Sequence, residues 1–251
     1  MKKRSITEGV KKHSTVLAKN KEYEPISFTH IKNLKTMRIL YSLPALFLVF
    51  LTGCFKERIT GWGNIISENR TIVGSFNEIE VKDAINVFIK QGDTFKIVVK
   101  DYENILPNLS TRVLGNRLII DYEDVWINRS EGEVTVTLPR LTNIDVSGSS
   151  EIGTIGNFKF DDLGINISGS ANMIMVGSAK NLNLKISGSG NLRAYNMPCD
   201  SARITISGSG TGQINVMKLL DVTISGSGDL VYKGNPSVTS HITGSGRIRK
   251  F

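Results

Sequence analysis

Few residues of this chain have types and spacing suited to chemistry. Histidine stands only at 13, 30 and 241. His241 with Asp221, Asp229 or Ser225 holds the parts of a hydrolytic relay, because a general base needs a carboxylate to orient it. No nucleophile elbow accompanies them, so a solvated histidine is the expectation. Asp161-Asp162 is a lone pair of neighbouring carboxylates, short of the oxygen cage that calcium requires. The Gly-Gly-x-Gly-x-Asp calcium repeat is absent from the sequence. With Cys54 and Cys199 as the only cysteines, there is no disulfide framework and no multi-cysteine zinc site. No catalytic, cofactor-binding or metal residue is assigned.

Cys54 carries the clearest chemistry. From Met37 the chain reads Met-Arg-Ile-Leu-Tyr-Ser-Leu-Pro-Ala-Leu-Phe-Leu-Val-Phe-Leu-Thr-Gly-Cys54: a basic residue, a short apolar run and a small-residue cleavage site, the form of a secretory signal peptide. The run is too short to span a bilayer comfortably and contains Pro44. Leu51-Thr-Gly-Cys54 resembles a bacterial lipobox, in which Thr52 and Gly53 fit a narrow peptidase cleft and the Cys54 thiol accepts a diacylglycerol. Several acyl chains on one residue anchor stably, where a single chain does not. Phe55 rather than Asp after the cysteine resembles the sorting signal for the outer membrane. Asp200-Ser201-Ala202 resembles the Asp-Ser/Thr-aliphatic acceptor of bacterial O-glycosylation, which makes Ser201 a candidate modification site. Cys199 is then the remaining thiol, expected in a loop or at an edge.

Charge follows the same division. The formal net charge is +8. Ten of the 31 basic and three of the 23 acidic side chains lie in residues 1–38, so the rest of the chain carries 21 against 20. A nucleic-acid partner loses its support. Residues 1–36 read as a basic extension upstream of the true initiator, 37–53 as the signal peptide, 54–69 as a tether, and 70–251 as the folded domain.

The elements that position these residues are strands. Between 55 and 140 the apolar residues alternate (Ile79, Val81; Val87, Ile89; Ile97, Val99) and no stretch of useful length has helical periodicity. From residue 146 one phrase recurs: Val146-Ser-Gly-Ser-Ser150, then Ile-Ser-Gly-Ser from Ile167, Ile186, Ile206 and Ile224, and Ile242-Thr-Gly-Ser-Gly246. The hydroxyl residue after the apolar one stands at 147, 168, 187, 207, 225 and 243, in steps of 21, 19, 20, 18 and 18. A repeat of about 20 residues is the mark of a solenoid. One apolar column is Val146, Ile167, Ile186, Ile206, Ile224, Ile242; a second, two residues earlier, is Ile144, Ile165, Leu184, Ile204, Val222, Ser240. A third is Ile152, Met173, Leu192, Ile214, Leu230, Ile248, with one residue of slippage at Ile214. Positions two apart share a strand face, so the columns point inward and coils must stack to bury them. Gly-Ser-Gly then forms the corner, with the hydroxyls satisfying corner backbone. The fold expected is all-β: a right-handed parallel β-helix of single-stranded coils from about residue 141, with a β-rich N-terminal portion continuous with it. A β-sandwich is the alternative, but it would not need one phrase at one phase in every turn.

Arg70-Thr-Ile-Val-Gly-Ser-Phe76, Ile79-Glu-Val81, Val87-Phe-Ile-Lys-Gln-Gly92, Asn104-Ile-Leu-Pro107 and the Ser-Gly-Ser-Gly coils together resemble the putative auto-transporter adhesin, head GIN domain family. The resemblance spans about residues 70–248. It implies a β-helix in a secreted or lipid-anchored protein of the Bacteroidetes type, and it transfers no catalytic motif. The resulting expectation is a non-enzymatic, lipid-anchored envelope protein that presents a binding or adhesive surface to a cell-surface or polysaccharide ligand. It is expected to be held at the membrane by acylated Cys54, without cofactor and as a monomer. The alternatives are a polysaccharide-acting β-helix enzyme, which would need long loops walling a cleft, and a structural scaffold of the envelope. Trp62, Trp126, Tyr195 and Tyr232 are expected mostly to pack.

Overall fold

The computed structural model describes residues 56–251; Cys54 and the segments 1–36 and 37–53 lie outside them. The strands are β1 (Glu57–Thr60), β2 (Ile65–Arg70), β3 (Glu78–Val81), β4 (Asn86–Gln91), β5 (Lys96–Tyr102), β6 (Leu109–Leu114), β7 (Arg117–Tyr122), β8 (Val125–Arg129) and β9 (Glu133–Leu138) in the first half. The second half holds β10 (Asn143–Val146), β11 (Glu151–Ile155), β12 (Phe158–Ile167), β13 (Asn172–Ile174), β14 (Gly177–Ile186), β15 (Asn191–Ile206), β16 (Thr211–Gly226), β17 (Asp229–Lys233), β18 (Ser237–Gly244) and β19 (Arg247–Lys250). One 3-10 turn, Leu106–Asn108, is the only helical element among the described residues.

Parallel pairing stacks these strands into a β-solenoid. Inward columns run through the register as Leu118, Ile79, Ile144, Ile165, Leu184, Ile204, Val222, Ser240 and as Ile120, Val81, Val146, Ile167, Ile186, Ile206, Ile224, Ile242. Except in the last coil, these side chains are buried. At about 1.5–3 kcal/mol for each fully buried aliphatic side chain, they are the main source of stability. The third column needs a correction. Gly212, not Ile214, stands between Leu192 and Leu230, and Leu230 fills the space a Cβ would take. Ile214 pairs with Ala194 and Tyr232, one inward position further along.

The glycines of the repeated phrase serve coil-to-coil approach more than bending. A Cβ on Gly148 or Gly169 would collide with the backbone of the coil beneath, at Asp83 and Gly148 respectively. Ser168 and Thr243 donate their hydroxyls to the carbonyls of Val146 and Ile224, at 3.2 and 3.4 Å, as corner residues should.

The solenoid begins well before the repeated phrase, and its coils are not in chain order. β3 lies between β7 and β10, and β4 between β9 and β11, all parallel. Arg117 of β7 staples the three layers, reaching Glu78 at 2.9 Å, Glu80 at 3.2 Å and Asp145 at 3.1 Å. Beyond β7 and β9 the pairing turns antiparallel, through β6 on β7, β5 on β9 and β2 on β5. Buried Ile105, Leu106 and Leu109 plug this end. The stretch read as a tether therefore contributes two strands: β1 pairs with β8 and β2 with β5. Among the described residues the opposite end has no such cap, and β18 is exposed along its whole length.

Candidate functional site

Because like residues stack at about 4.8 Å from coil to coil, side chains on the outer faces form ladders rather than clefts. On one flank Asp162, Asn181, Ser201 and Leu219 align, and beside them Asn183, Arg203, Asp221 and Thr239. Together they line a groove of about 650 Å3. Its polar groups are tied coil to coil: Asn181 donates to the Asp162 carboxylate at 2.7 Å, and Arg203 Nε reaches Asp221 at 3.3 Å. At its border Lys180 pairs with Asp161 at 2.6 Å and Lys218 with Asp200 at 2.9 Å. The hydrogen bond from Lys180 holds the Asp161 carboxyl below its ordinary range and raises the lysine in turn. The groove can offer amide, hydroxyl, guanidinium and carboxylate groups in register to an extended polar ligand.

A second groove, of about 570 Å3, is apolar. Gly153 stands between Phe88 and Ile174 on an outward column and leaves a gap that their side chains wall. Ile155 and Ile174 are exposed beside it, with Glu151, Asn172, Asn191 and Arg193 at its edge.

A third cavity, of about 490 Å3, lies near the N-terminal cap between Asp83, Tyr122, Trp126, Asn128, Ser130 and Ser149. Behind it Asp101, fully buried, accepts from Tyr122 Oη and Ser130 Oγ at 2.8 Å each on one oxygen. Its other oxygen accepts the backbone N–H groups of Tyr102 and Glu131 at 2.8 and 2.9 Å. Burial pushes the Tyr122 phenol well above its ordinary value, so Tyr122 serves as a fixed donor and not as a base. With every oxygen partnered, this cluster joins β5, β7 and the 130–132 turn; sequence reasoning missed it.

The other sequence-flagged residues are dispersed. Ser201 lies half-buried in the polar groove, beside a register irregularity of β15. His241 is exposed; Asp221 is held by Arg203, and Asp229 accepts the backbone N–H of Arg247 at 3.1 Å. The hydrolytic relay is not assembled. Asp161 and Asp162 turn to Lys180 and Asn181 respectively, and no group of three metal-ligating side chains occurs among the described residues. Cys199 is buried in β15 rather than in a loop, and burial pushes its thiol up to about 12. Tyr232 packs partly against the core, whereas Trp62 and Trp126 are exposed. No helix among the described residues is long and apolar enough to cross a membrane.

No curated protein matches the chain. Among solved structures, a putative adhesin from Bacteroides fragilis is 20% identical with a TM-score of 0.63, over 77% of this chain and 100% of that one. A putative lipid binding protein from Parabacteroides distasonis is 23% identical with a TM-score of 0.55, over 78% and 100%. A putative adhesin from Parabacteroides merdae is 20% identical with a TM-score of 0.51, over 78% and 99%. At these identities the likeness carries the fold alone. Residues 75–236 match the model of one family, and the chain belongs to that family, described as putative auto-transporter adhesin, head GIN domain.

Proposed function

We propose that this chain is a lipid-anchored protein of the bacterial cell envelope, in the outer membrane, whose solenoid flank is a binding surface and not a catalytic cleft. The observation that carries the reading is the polar groove along Asp162, Asn181, Ser201, Arg203 and Asp221. Its charged groups are tied across coils, Asp162 to Asn181 and Arg203 to Asp221, which leaves them as fixed hydrogen-bonding rungs and not as free acids and bases. Rungs repeating at about 4.8 Å suit a ligand that is itself extended, and a polysaccharide has that form. In the repeat region, coils of 18 to 21 residues leave no chain over for loops that would wall in a substrate. Family membership supports an adhesive role at the cell surface.

Protease treatment of intact cells tests the adhesive reading. Loss of the full-length protein without lysis is the expected result; complete protection would favour a scaffold on the inner side. Labelled palmitate should enter the protein and fail to enter the Cys54→Ala variant. A glycan on Ser201 would occupy the same groove as the ligand. Intact mass decides between them, since a protein without glycan mass leaves the groove open.

A further inference from the structure

Trp62 and Trp126 are the only tryptophans of the chain. Both belong to the N-terminal end of the solenoid, and they are 66% and 64% exposed. Ile65 and Ile66, close to Trp62 in the chain, are exposed with them. An exposed indole beside other apolar side chains needs a covering medium that is apolar below and wet above, and the bilayer interface is such a medium.

The chain itself says where that medium must lie. Only Phe55 and Lys56 separate Cys54 from the first residue of β1. An extended chain spans at most about 3.3–3.6 Å per residue, so Glu57 stays within about 11 Å of Cys54. Arg58 is the strand neighbour of Trp126. The headgroup zone on each side of the hydrocarbon core is only about 5–8 Å thick. With acyl chains on Cys54, the β1–β8 ribbon has no spacer to lift it off the surface. Lys56 lies 6.0 Å from the centre of the Trp126 ring and would meet lipid phosphates there. Lys56, Arg58 and Arg129 balance Glu57, Glu123 and Asp124 in the ribbon and its approach, so the contact is near neutral and suits a zwitterionic surface.

We propose that the β1–β8 ribbon seats directly on a zwitterionic bilayer surface through Trp62 and Trp126, so that the N-terminal part of the solenoid meets the membrane and its C-terminal coil does not. The proposal rests on acylation of Cys54. It adds to that reading a defined contact face and an orientation.

The two tryptophans make the test direct. The acylated full-length protein, as Trp62→Phe and as Trp126→Phe, is reconstituted into phosphatidylcholine vesicles, with or without bromine on the upper acyl carbons. In each single-tryptophan protein, brominated lipid should at least halve the emission while aqueous iodide has little effect. If mass spectrometry shows acyl chains on Cys54 and both tryptophans remain fully quenched by iodide and untouched by brominated lipid, the seating is overturned and the anchor stands. If Cys54 carries no acyl chain, the anchor fails and the seating fails with it.

Discussion

Ser170 donates its backbone N–H to the carbonyl of Gly148 in the neighbouring coil at 3.2 Å, and the step recurs from Ser189 to Gly169 at 3.2 Å and from Ser209 to Gly188 at 3.1 Å. The glycine column is thus a backbone ladder in which each carbonyl lies where the next coil's Cβ would have to stand. A Cβ on Gly188 would be 2.5 Å from the Gly169 carbonyl oxygen.

Gly188→Ala should therefore destabilise the protein by about 1–3 kcal/mol, the range for overpacking a fixed backbone. The neighbouring Ser189→Ala, which leaves the backbone ladder intact, should cost little. Urea midpoints of the two variants check this. Equal midpoints would return the glycine to a simple bend.

One column also predicts two different costs for one substitution. Ile206 is fully buried, while Ile242, two coils on in the same column, is 40% exposed because no further coil among the described residues covers it. Ile206→Ala should cost about 2–5 kcal/mol, as for other buried aliphatic truncations. Ile242→Ala should cost under half as much, measured by the same denaturation. The terminal coil is already adapted to water, since Ser240 and Lys250 fall on inward positions that Val222 and Tyr232 hold in the coil before.

How far the fold could be read from the sequence depended on whether a coil's corner used the repeated phrase. From Val146 onward it does, and register follows from the spacing. At Val81-Lys-Asp-Ala-Ile85 the corner is made differently: Asp83 takes a left-handed φ of 61°, and its carbonyl accepts the Ser150 hydroxyl at 3.1 Å. No local signal says that β7 and β10 flank β3, because the Arg117 contacts that join them link residues far apart in the chain, with several strands between. β1 and β2 escape a local reading for the same reason: Glu57-Arg-Ile-Thr60 gains its partner only at Val125–Arg129.

The buried polar cluster was more legible than the grooves. Ile97, Val99 and Asp101 share one inward phase, so an acid at the third position signals a carboxylate that the fold must satisfy. The grooves depend on which outward columns align, and a gap such as Gly153 between Phe88 and Ile174 is visible only once register is known.

Asp101→Asn should be costly despite its near-identical shape. Both oxygens of Asp101 accept hydrogen bonds; an amide can keep its oxygen on the backbone N–H groups of Tyr102 and Glu131, but its NH2 then forces the Tyr122 and Ser130 hydroxyls to accept where they had donated. A loss of about 1–3 kcal/mol is expected for one buried donor left unpaired. Urea midpoints check this, and a variant as stable as the parent would argue against the network.

Lys233 pins the C-terminal residue to the last coils. Its ammonium lies 4.4 Å from the centre of the Tyr195 ring and 4.3 Å from that of Phe251, while Phe251 N–H donates to the Tyr232 carbonyl at 2.9 Å. Exposed cation–π contacts are worth about 0.5–1 kcal/mol each. Removing Phe251 should therefore raise amide exchange in β19 and leave β12 unchanged.

Cys199 ties stability to alkaline pH. Burial raises its folded pKa from 9.0 to about 12, with Asp200 adding to the effect. The folded state thus keeps the thiol proton where the unfolded state has lost it. This contribution is fully present below pH 9 and is lost as pH rises from 9 toward about 12. Cys199→Ala should flatten that part of the stability curve, although Tyr122, raised by burial as well, will still destabilise the fold once it is forced to ionise. In the native acylated protein at pH 8, a thiol-specific disulfide reagent should find no reactive group, and one equivalent should appear on unfolding in urea. Rapid native labelling would show that Cys199 is not the sealed core thiol its burial implies.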